Sequence, residues 1–138
     1  MAKHVFFSFH YQNDVWRANV VRNSGEIIGS AAAGFRDASL WEDAKKKSDD
    51  AVKKLIDEGL KGTSVTVVLI GSKTAGRKFI NYEIAQSIAK GNKIIGVHIY
   101  NIKDSNGNTA TKGAVPQKLI DGKYSIYTWD SSKFKDWI

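Results

Sequence analysis

A single acid stands among small, polar and basic residues in the stretch GSKTAGRKFINYEIAQSIAKG, residues 71–91. This acid is Glu83, and its carboxylate could be either an ordinary surface charge or a catalytic group. On a helical wheel Ile80, Ile84 and Ile88 form the predicted buried stripe, and Glu83 lies on its flank. We therefore expect a half-sheltered carboxylate, whose pKa burial would raise and the helix N-terminus would lower. The wheel position alone leaves both roles open.

The other candidate groups are weaker. His4, His10 and His98 lack metal-ligand spacing and the chain has no Cys, so we predict no metal site. His4 and His98 fall within predicted strands and are expected to be structural, whereas His10 is either a pocket wall or a bystander. A triad of Ser8, His10 and Asp14 is rejected because three residues at one strand end cannot easily point at one another.

The segment GSKTAG, residues 71–76, precedes the helix of Glu83. Small residues before a helix expose backbone N–H groups near a positive helix end, which makes this segment a candidate phosphate cradle. A flexible turn explains the same residues equally well. The chain contains none of the Walker, GxGxxG, HExxH or EF-hand motifs.

Strands and helices alternate along the chain. Runs of β-branched and aromatic residues predict strands at 4–9, 26–30, 64–71, 93–101 and 124–129. Helices are predicted at 13–25, 48–62 and 78–91, with a loop at 31–47 that has room for one helical turn. The first helix is expected to be capped by Asn13 or Asp14 and ended by Gly25, and the second is expected to run from a Ser48 cap to Gly62.

The pattern predicts one α/β domain over residues 1–138. The strand at 64–71 is apolar on both faces, which is typical of a parallel sheet covered on both sides. We expect an open sheet of four to five mainly parallel strands with helices on both faces. Residues 5–9, 65–70 and 94–99 should be parallel neighbours in it.

Ligands of such sheets bind beyond the carboxyl ends of the strands. Three segments should meet there, and their candidate residues are Ser8, Phe9, His10, Tyr11 and Asp14, then Phe35, Arg36, Asp37, Ser39 and Trp41, and finally Gly71 and Ser72.

The charge balance favours anionic partners such as a nucleotide, a nucleic acid or an acidic protein. The net charge is +7, but the lysines are scattered and the only run is at 45–47. No basic helix with interleaved aromatics is present, so nucleic-acid binding is not favoured. The chain has no apolar run of membrane-spanning length and no secretory signal, and the absence of Cys fits a reducing compartment, so we expect a cytoplasmic protein.

Three blocks of the sequence resemble one family. The blocks HVFFSFHYQNDVWRANVVRNS, GFRDASLWEDAKKK and IDEGLKGTSVTVVLIGSKTAGRKFINYEIAQSIAKGNKIIGVHI are similar to the TIR-like domain of the Thoeris ThsB type. The resemblance covers about residues 4–100, and the block TSVTVVLIGSKTAGRKFINYEI is its most specific part.

The resemblance implies a flavodoxin-like fold and a role in bacterial antiphage defence. It implies that the chain consumes NAD as a substrate, without a further cofactor, and makes a cyclic ADP-ribose-type signal that activates a separate effector. It also implies a catalytic role for Glu83, with Phe79 four residues earlier where the family usually has Trp. Ser8, Phe9 and His10 would line the pocket, and a loop of Phe35, Arg36 and Asp37 would cover NAD, with Arg36 facing the pyrophosphate.

Two other functions stay open at this point. A non-catalytic TIR-like module would act by protein association or nucleotide sensing, because folds of this class host many functions. A basic nucleic-acid binder is the third reading. A homo-oligomer and a phage-derived trigger are further partners that the resemblance allows.

Overall fold

The computed structural model describes residues 3–24, 27–31 and 39–138. The strands are β1 (Lys3–Ser8), β2 (Ile27–Ser30), β3 (Val65–Ile70), β4 (Lys93–His98) and β5 (Ser125–Thr128). The helices are α1 (Tyr11–Arg22), α2 (Ser39–Lys47), α3 (Asp49–Leu60), α4 (Lys78–Lys90), α5 (Gln117–Asp121) and α6 (Phe134–Trp137). None of the helices in these ranges is long and apolar enough to cross a membrane.

The five strands form one parallel sheet in the order β2-β1-β3-β4-β5. This order confirms the predicted open α/β sheet and the predicted parallel neighbours, and it is the flavodoxin-like order. The strand order reverses between β1 and β3, so the ligand crevice is expected at their carboxyl ends.

Both faces of the sheet are covered by apolar packing. Val68 and Ile70 of β3 pack with Ile80 and Ile84 of α4. The alternate residues Val67 and Leu69 belong to the larger cluster that includes Ala18 and Val21 of α1. Because side chains alternate along a strand, the β-branched run of β3 contributes to the core on both sides.

The first helix starts earlier than predicted. His10 is its N-cap, and the His10 Nδ1 accepts a hydrogen bond from the Asn13 N–H at 3.2 Å. The expectation of an Asn13 or Asp14 cap is therefore wrong: Asp14 lies inside the first turn and is fully buried. A ring nitrogen replaces the usual side-chain oxygen as the cap acceptor, which residue-type preferences do not reveal. Gly25 lies outside the described residues.

The second predicted helix is confirmed. Ser48 Oγ accepts a hydrogen bond from the Ala51 N–H at 3.1 Å, and α3 ends before Gly62, whose φ of 76° lies in the left-handed region.

The segment predicted as a loop contains a full helix. Residues 39–47 form α2, whereas the preceding residues 32–38 lie outside the described part of the chain. Within α2, Trp41 and Ala44 are buried and the lysines at 45–47 are exposed. The apolar residues of α2 are Leu40, Trp41 and Ala44, too few over nine residues to define a helical period, so the sequence pattern does not predict α2.

Candidate active site

The Glu83 carboxyl is buried beneath α4. Glu83 is 1% exposed, and the Ser8 hydroxyl at the end of β1 donates a hydrogen bond to Glu83 Oε1 at 2.8 Å. The predicted half-sheltered position is therefore wrong, because the carboxyl points into the interface between α4 and the sheet. The structure does bring Glu83 together with Ser8, 75 residues earlier in the chain.

Polar partners on the strands explain which face of α4 is buried. The buried residues of α4 are Ile80, Glu83, Ile84 and Ser87, whereas Ile88 is 47% exposed, so its place in the predicted stripe is wrong. Ser87 Oγ donates to the Glu83 carbonyl oxygen at 2.8 Å and accepts from the Thr66 hydroxyl of β3 at 2.7 Å. These bonds satisfy buried polar groups that the helical wheel treats as surface-seeking.

The surroundings of Glu83 favour its neutral form. Burial raises the pKa of this carboxyl and the hydrogen bond from Ser8 lowers it; the effect of burial is larger, and the pKa is about 8. Glu83 Oε2 has no hydrogen-bond partner among the described residues. In this conformation the carboxyl is mostly protonated at neutral pH and ionises in mildly alkaline solution.

A cavity of about 400 Å³ is lined in part by sequence neighbours of this buried pair. Its wall includes Phe79 and Ile80, one turn before Glu83, and Phe9, next to Ser8. Glu83 and Ser8 themselves are buried and are not among the described residues that line the cavity.

Four aromatic rings form a connected group on this wall. The ring centroids of Phe9 and Tyr11 lie 4.4 Å apart, and Tyr11 stacks on Trp41 of α2 at 4.7 Å. Trp41 meets the edge of Phe79 at 5.5 Å. Aromatic side chains contribute large apolar areas, so this group forms the apolar side of the cavity wall.

The remaining lining is polar and basic. It comprises His10, Gln12, Lys45, Gly76, Arg77 and Lys78. Lys78 is paired with Asp49 of α3 at 2.6 Å, the ion pair found in the described part of the chain. The pKa of His10 is lowered, first by burial and then by the charges of Arg77, Lys45 and Lys73. The partly buried His10 imidazole is thus subject to the positive charges of three side chains.

The loop between β3 and α4 is held by several contacts. The Gly71 N–H donates to Thr74 Oγ1 at 2.9 Å, and Thr74 is fully buried. Asp14 packs against Gly71 so closely that a Cβ there would clash with both Asp14 oxygens. Burial raises the pKa of Asp14 to about 6, against the lowering effects of Arg17 and of the Asn13 amide. The Gly71 N–H is committed to Thr74, which weakens the case for a free phosphate cradle at that residue.

The structure sorts the predicted site residues into three groups. Phe9, His10 and Phe79 line the cavity, together with Tyr11 and Trp41 from the predicted rim. Ser8 and Glu83 are buried and are not among the described residues that line it. Phe35, Arg36 and Asp37 lie outside the described residues.

Sequence reasoning missed the basic lining residues Lys45, Arg77 and Lys78. Arg77 and Lys78 start the helix that follows β3, a position that the strand-end rule could have selected. Lys45 carried no such signal because α2 was not predicted. No group of three or more His, Asp or Glu side chains suited to a metal ion occurs within residues 3–24, 27–31 and 39–138.

Comparisons with known proteins point in one direction. A family model for the TIR-like domain of the Thoeris protein ThsB matches residues 6–104. A Bacillus cereus (strain MSX-D12) protein named "Putative cyclic ADP-D-ribose synthase ThsB1" is 51% identical over 146 residues. That alignment covers 99% of this chain and 76% of the Bacillus cereus protein.

Proposed function

This chain belongs to the family defined by the TIR-like domain of the Thoeris protein ThsB, and we propose that it cleaves NAD and makes a cyclic ADP-ribose-type signal. The signal activates a separate antiphage effector in the cytoplasm. The name of the Bacillus cereus relative, a cyclic ADP-D-ribose synthase, supports this reaction.

One observation in the molecule carries the proposal. The buried Glu83 carboxyl accepts a hydrogen bond from Ser8 at the β1–β3 switch point, where residues one turn before Glu83 and next to Ser8 line a cavity with an aromatic wall. A carboxyl with a strongly raised pKa in a crevice is a candidate catalytic group. Ligands of open α/β sheets bind at this switch point.

The reaction breaks the bond between the nicotinamide nitrogen and ribose C1′. The bonding electron pair leaves with the nicotinamide, which becomes neutral, and positive charge develops on the ribose ring. An ionised Glu83 carboxylate stabilises this charge, as an acidic group does at other oxocarbenium-like transition states. An oxygen or nitrogen of the same ADP-ribose then bonds to C1′ and releases a proton, which closes the cyclic product.

Glu83 must lose its proton to act in this way. The nicotinamide ring of NAD is cationic, and an opposite charge within a few ångströms lowers the pKa of a carboxyl. Substrate binding thus favours the ionised form that the empty site disfavours. Ser8 helps because its hydroxyl donates to the carboxylate and lowers the pKa of Glu83.

Access to Glu83 requires the cavity wall to move. Phe9, Phe79 and Ile80 line the cavity whereas the buried Glu83 does not, and Trp41 makes an edge contact with Phe79. We propose that the trigger of the defence response, a phage-derived component or self-association of the chain, favours the opened form. Phe35, Arg36 and Asp37, which precede α2 in the sequence, remain the proposed cover of the NAD site, with Arg36 toward the pyrophosphate.

The second candidate function is a nucleotide-binding module without turnover. It is favoured by the burial of Glu83, which is not among the described residues that line the cavity. The two candidates differ in one product, because only the enzyme releases nicotinamide.

Mass spectrometry of small molecules from phage-challenged cells tests the proposal. Cells that express the parent protein should accumulate a species that is lighter than ADP-ribose by one water, together with nicotinamide. Cells that express the Glu83→Gln variant at equal protein level should not. Equal product from both variants would overturn the role of Glu83, and unchanged NAD in the parent cells would favour the module.

A further inference from the structure

One side of the cavity carries basic groups. We call His10, Lys45 and Arg77 the cationic rim; all three line the cavity, and none of the lining residues that the structure describes is an acid. Arg77 donates from Nε to the Lys73 carbonyl oxygen at 3.1 Å, which turns its side chain back over the loop. Among the described residues neither Lys45 nor Arg77 has a carboxylate within ion-pair distance. Glu42 of α2 accepts a hydrogen bond from the Gln12 amide at 3.2 Å.

The start of α4 adds to the same positive region. Arg77 is the N-cap residue and makes no side-chain cap bond, and the first turn of α4 contains no acid. Natural helices place acids there to offset the positive end of the helix dipole. Here Arg77 and Lys78 occupy those positions, an arrangement that destabilises the isolated protein slightly and suits a bound anion.

His10 is prepared to donate to such an anion. Its Nδ1 accepts the Asn13 N–H as the cap of α1, so the proton of the neutral ring lies on Nε2. The imidazole can therefore serve as a hydrogen-bond donor without carrying a charge that the nearby cations would oppose.

We infer that His10, Lys45 and Arg77 form the subsite for the diphosphate of the dinucleotide substrate. The inference rests on the proposed function, and it assigns the diphosphate to the cap residue of α1 and to residues of α2 and of the α4 start. A diphosphate fits because its charge is compact and its oxygens take several donors at once. The aromatic group of Phe9, Tyr11, Trp41 and Phe79 on the same cavity would hold a flat ring attached to that diphosphate.

Binding of ADP and adenosine to the purified protein, measured by isothermal titration calorimetry, tests the inference without requiring turnover. The two probes share the base and ribose and differ in the diphosphate. At low salt the parent should bind ADP at least about tenfold more tightly than adenosine. Lys45→Gln and Arg77→Gln should each weaken ADP binding by about tenfold, the loss expected for one charge-assisted contact, and leave adenosine binding unchanged.

Matched controls separate the subsite from general charge effects. Lys47→Gln removes an exposed lysine from the same helix as Lys45, and Lys54→Gln removes one from α3; both should bind ADP like the parent. Lys45→Arg should restore most of the affinity that Lys45→Gln loses. Thermal melts check that each variant is folded.

The outcomes distinguish this inference from the proposed function. The subsite is wrong if the parent does not bind ADP, if adenosine binds as tightly as ADP, or if Lys45→Gln and Arg77→Gln both bind ADP like the parent. If the rim variants lose ADP affinity while NAD is never consumed, the proposed function fails and the subsite stands. If NAD is consumed and the rim variants keep the KM of the parent, the subsite fails and the function stands.

Discussion

Two opposite effects, burial and the hydrogen bond from Ser8, determine the pKa of the Glu83 carboxyl. Apolar packing favours the protonated acid, and the Ser8 hydroxyl favours the carboxylate. The first effect is larger, which leaves the pKa near 8 in the empty site. Glu83 must be ionised to stabilise a developing cation, but it is mostly protonated at neutral pH before the substrate binds.

We expect kcat/KM for NAD to rise as the pH increases through about 8, because kcat/KM follows the ionisation of the free enzyme. Ser8→Ala removes the hydrogen bond to the carboxylate, so the midpoint of this rise should move to higher pH. The measurement is the rate of nicotinamide release across pH 6 to about 10 for both proteins.

Ser87→Ala is the matched control for the pH profile. Ser87 bonds to the backbone carbonyl of Glu83 and leaves its carboxyl untouched, so the midpoint should stay at the parent value. A Ser8→Ala midpoint equal to that of the parent would contradict the pairing of Ser8 with the carboxylate.

Glu83 should also make the protein less stable in alkaline solution. Its pKa is raised on folding from 4.5 to about 8, so the folded state binds more protons than the unfolded state between these values. Stability is fully present below pH 4.5 and falls as the pH rises through about 8. Gln mimics the neutral acid, so Glu83→Gln should melt at least about 3 °C above the parent at alkaline pH, the shift that about 1 kcal/mol produces in a domain of this size.

Thermal melts of both proteins at acid and alkaline pH measure this effect. The difference should vanish near the acid end, where the parent carboxyl is protonated in both states. A parent protein that is as stable as the variant in alkaline solution would show that Glu83 is not held neutral by burial.

Helix α4 connects the core of the protein to the candidate site. Ile84 is 0% exposed and packs with Val68 and Ile70 of β3. Ile88, four residues later on the same helix, is 47% exposed. One helix thus supplies both a core contact and the carboxyl next to it.

Ile84→Ala should cost about 2–5 kcal/mol of unfolding free energy, because it leaves a cavity in the packed interface. Ile88→Ala removes the same atoms from a half-exposed position and should change stability by about 0.5 kcal/mol or less. Urea unfolding of the two variants gives the comparison. Equal losses would mean that the buried face of α4 has been misassigned.

The same helix shows what the sequence could and could not predict about the site. Its position after a two-sided strand, its length and its end at Gly91 follow from local patterns. The burial of Glu83 and Ser87 does not follow from local patterns. Their side chains accept hydrogen bonds from the hydroxyls of Ser8 and Thr66, which are far away in sequence. A helical wheel places such polar residues on the flank because it contains no information on partners from other elements.

The parallel sheet was predictable because each central strand is apolar on both faces, a property visible in six consecutive residues of β3. Helix α2 is not predictable in this way, because Trp41 packs on Tyr11 and Phe79 from other elements. A local hydrophobic period does not indicate such contacts. The cationic rim depends on α2 and on the start of α4 meeting in space, so it required the assembled fold.

The net charge of +7 should not produce a DNA-binding face. The lysines are distributed over several helices and do not form one continuous run. We expect duplex DNA to bind no more tightly than the roughly 10⁻⁴ to 10⁻⁶ M of nonspecific contacts at physiological salt. Fluorescence anisotropy with a labelled duplex measures this, and submicromolar affinity would contradict it.

The most direct test of the catalytic claim is nicotinamide release from NAD by purified parent protein and by Glu83→Gln, each supplied with extract of phage-infected cells as the trigger. Both proteins should be folded at the assay pH. The parent should release nicotinamide, and the variant should be slower by about 10²–10³-fold, the loss expected when a preorganised electrostatic stabiliser is removed. Release by the Gln variant at the rate of the parent, or no release by the parent, would contradict the account.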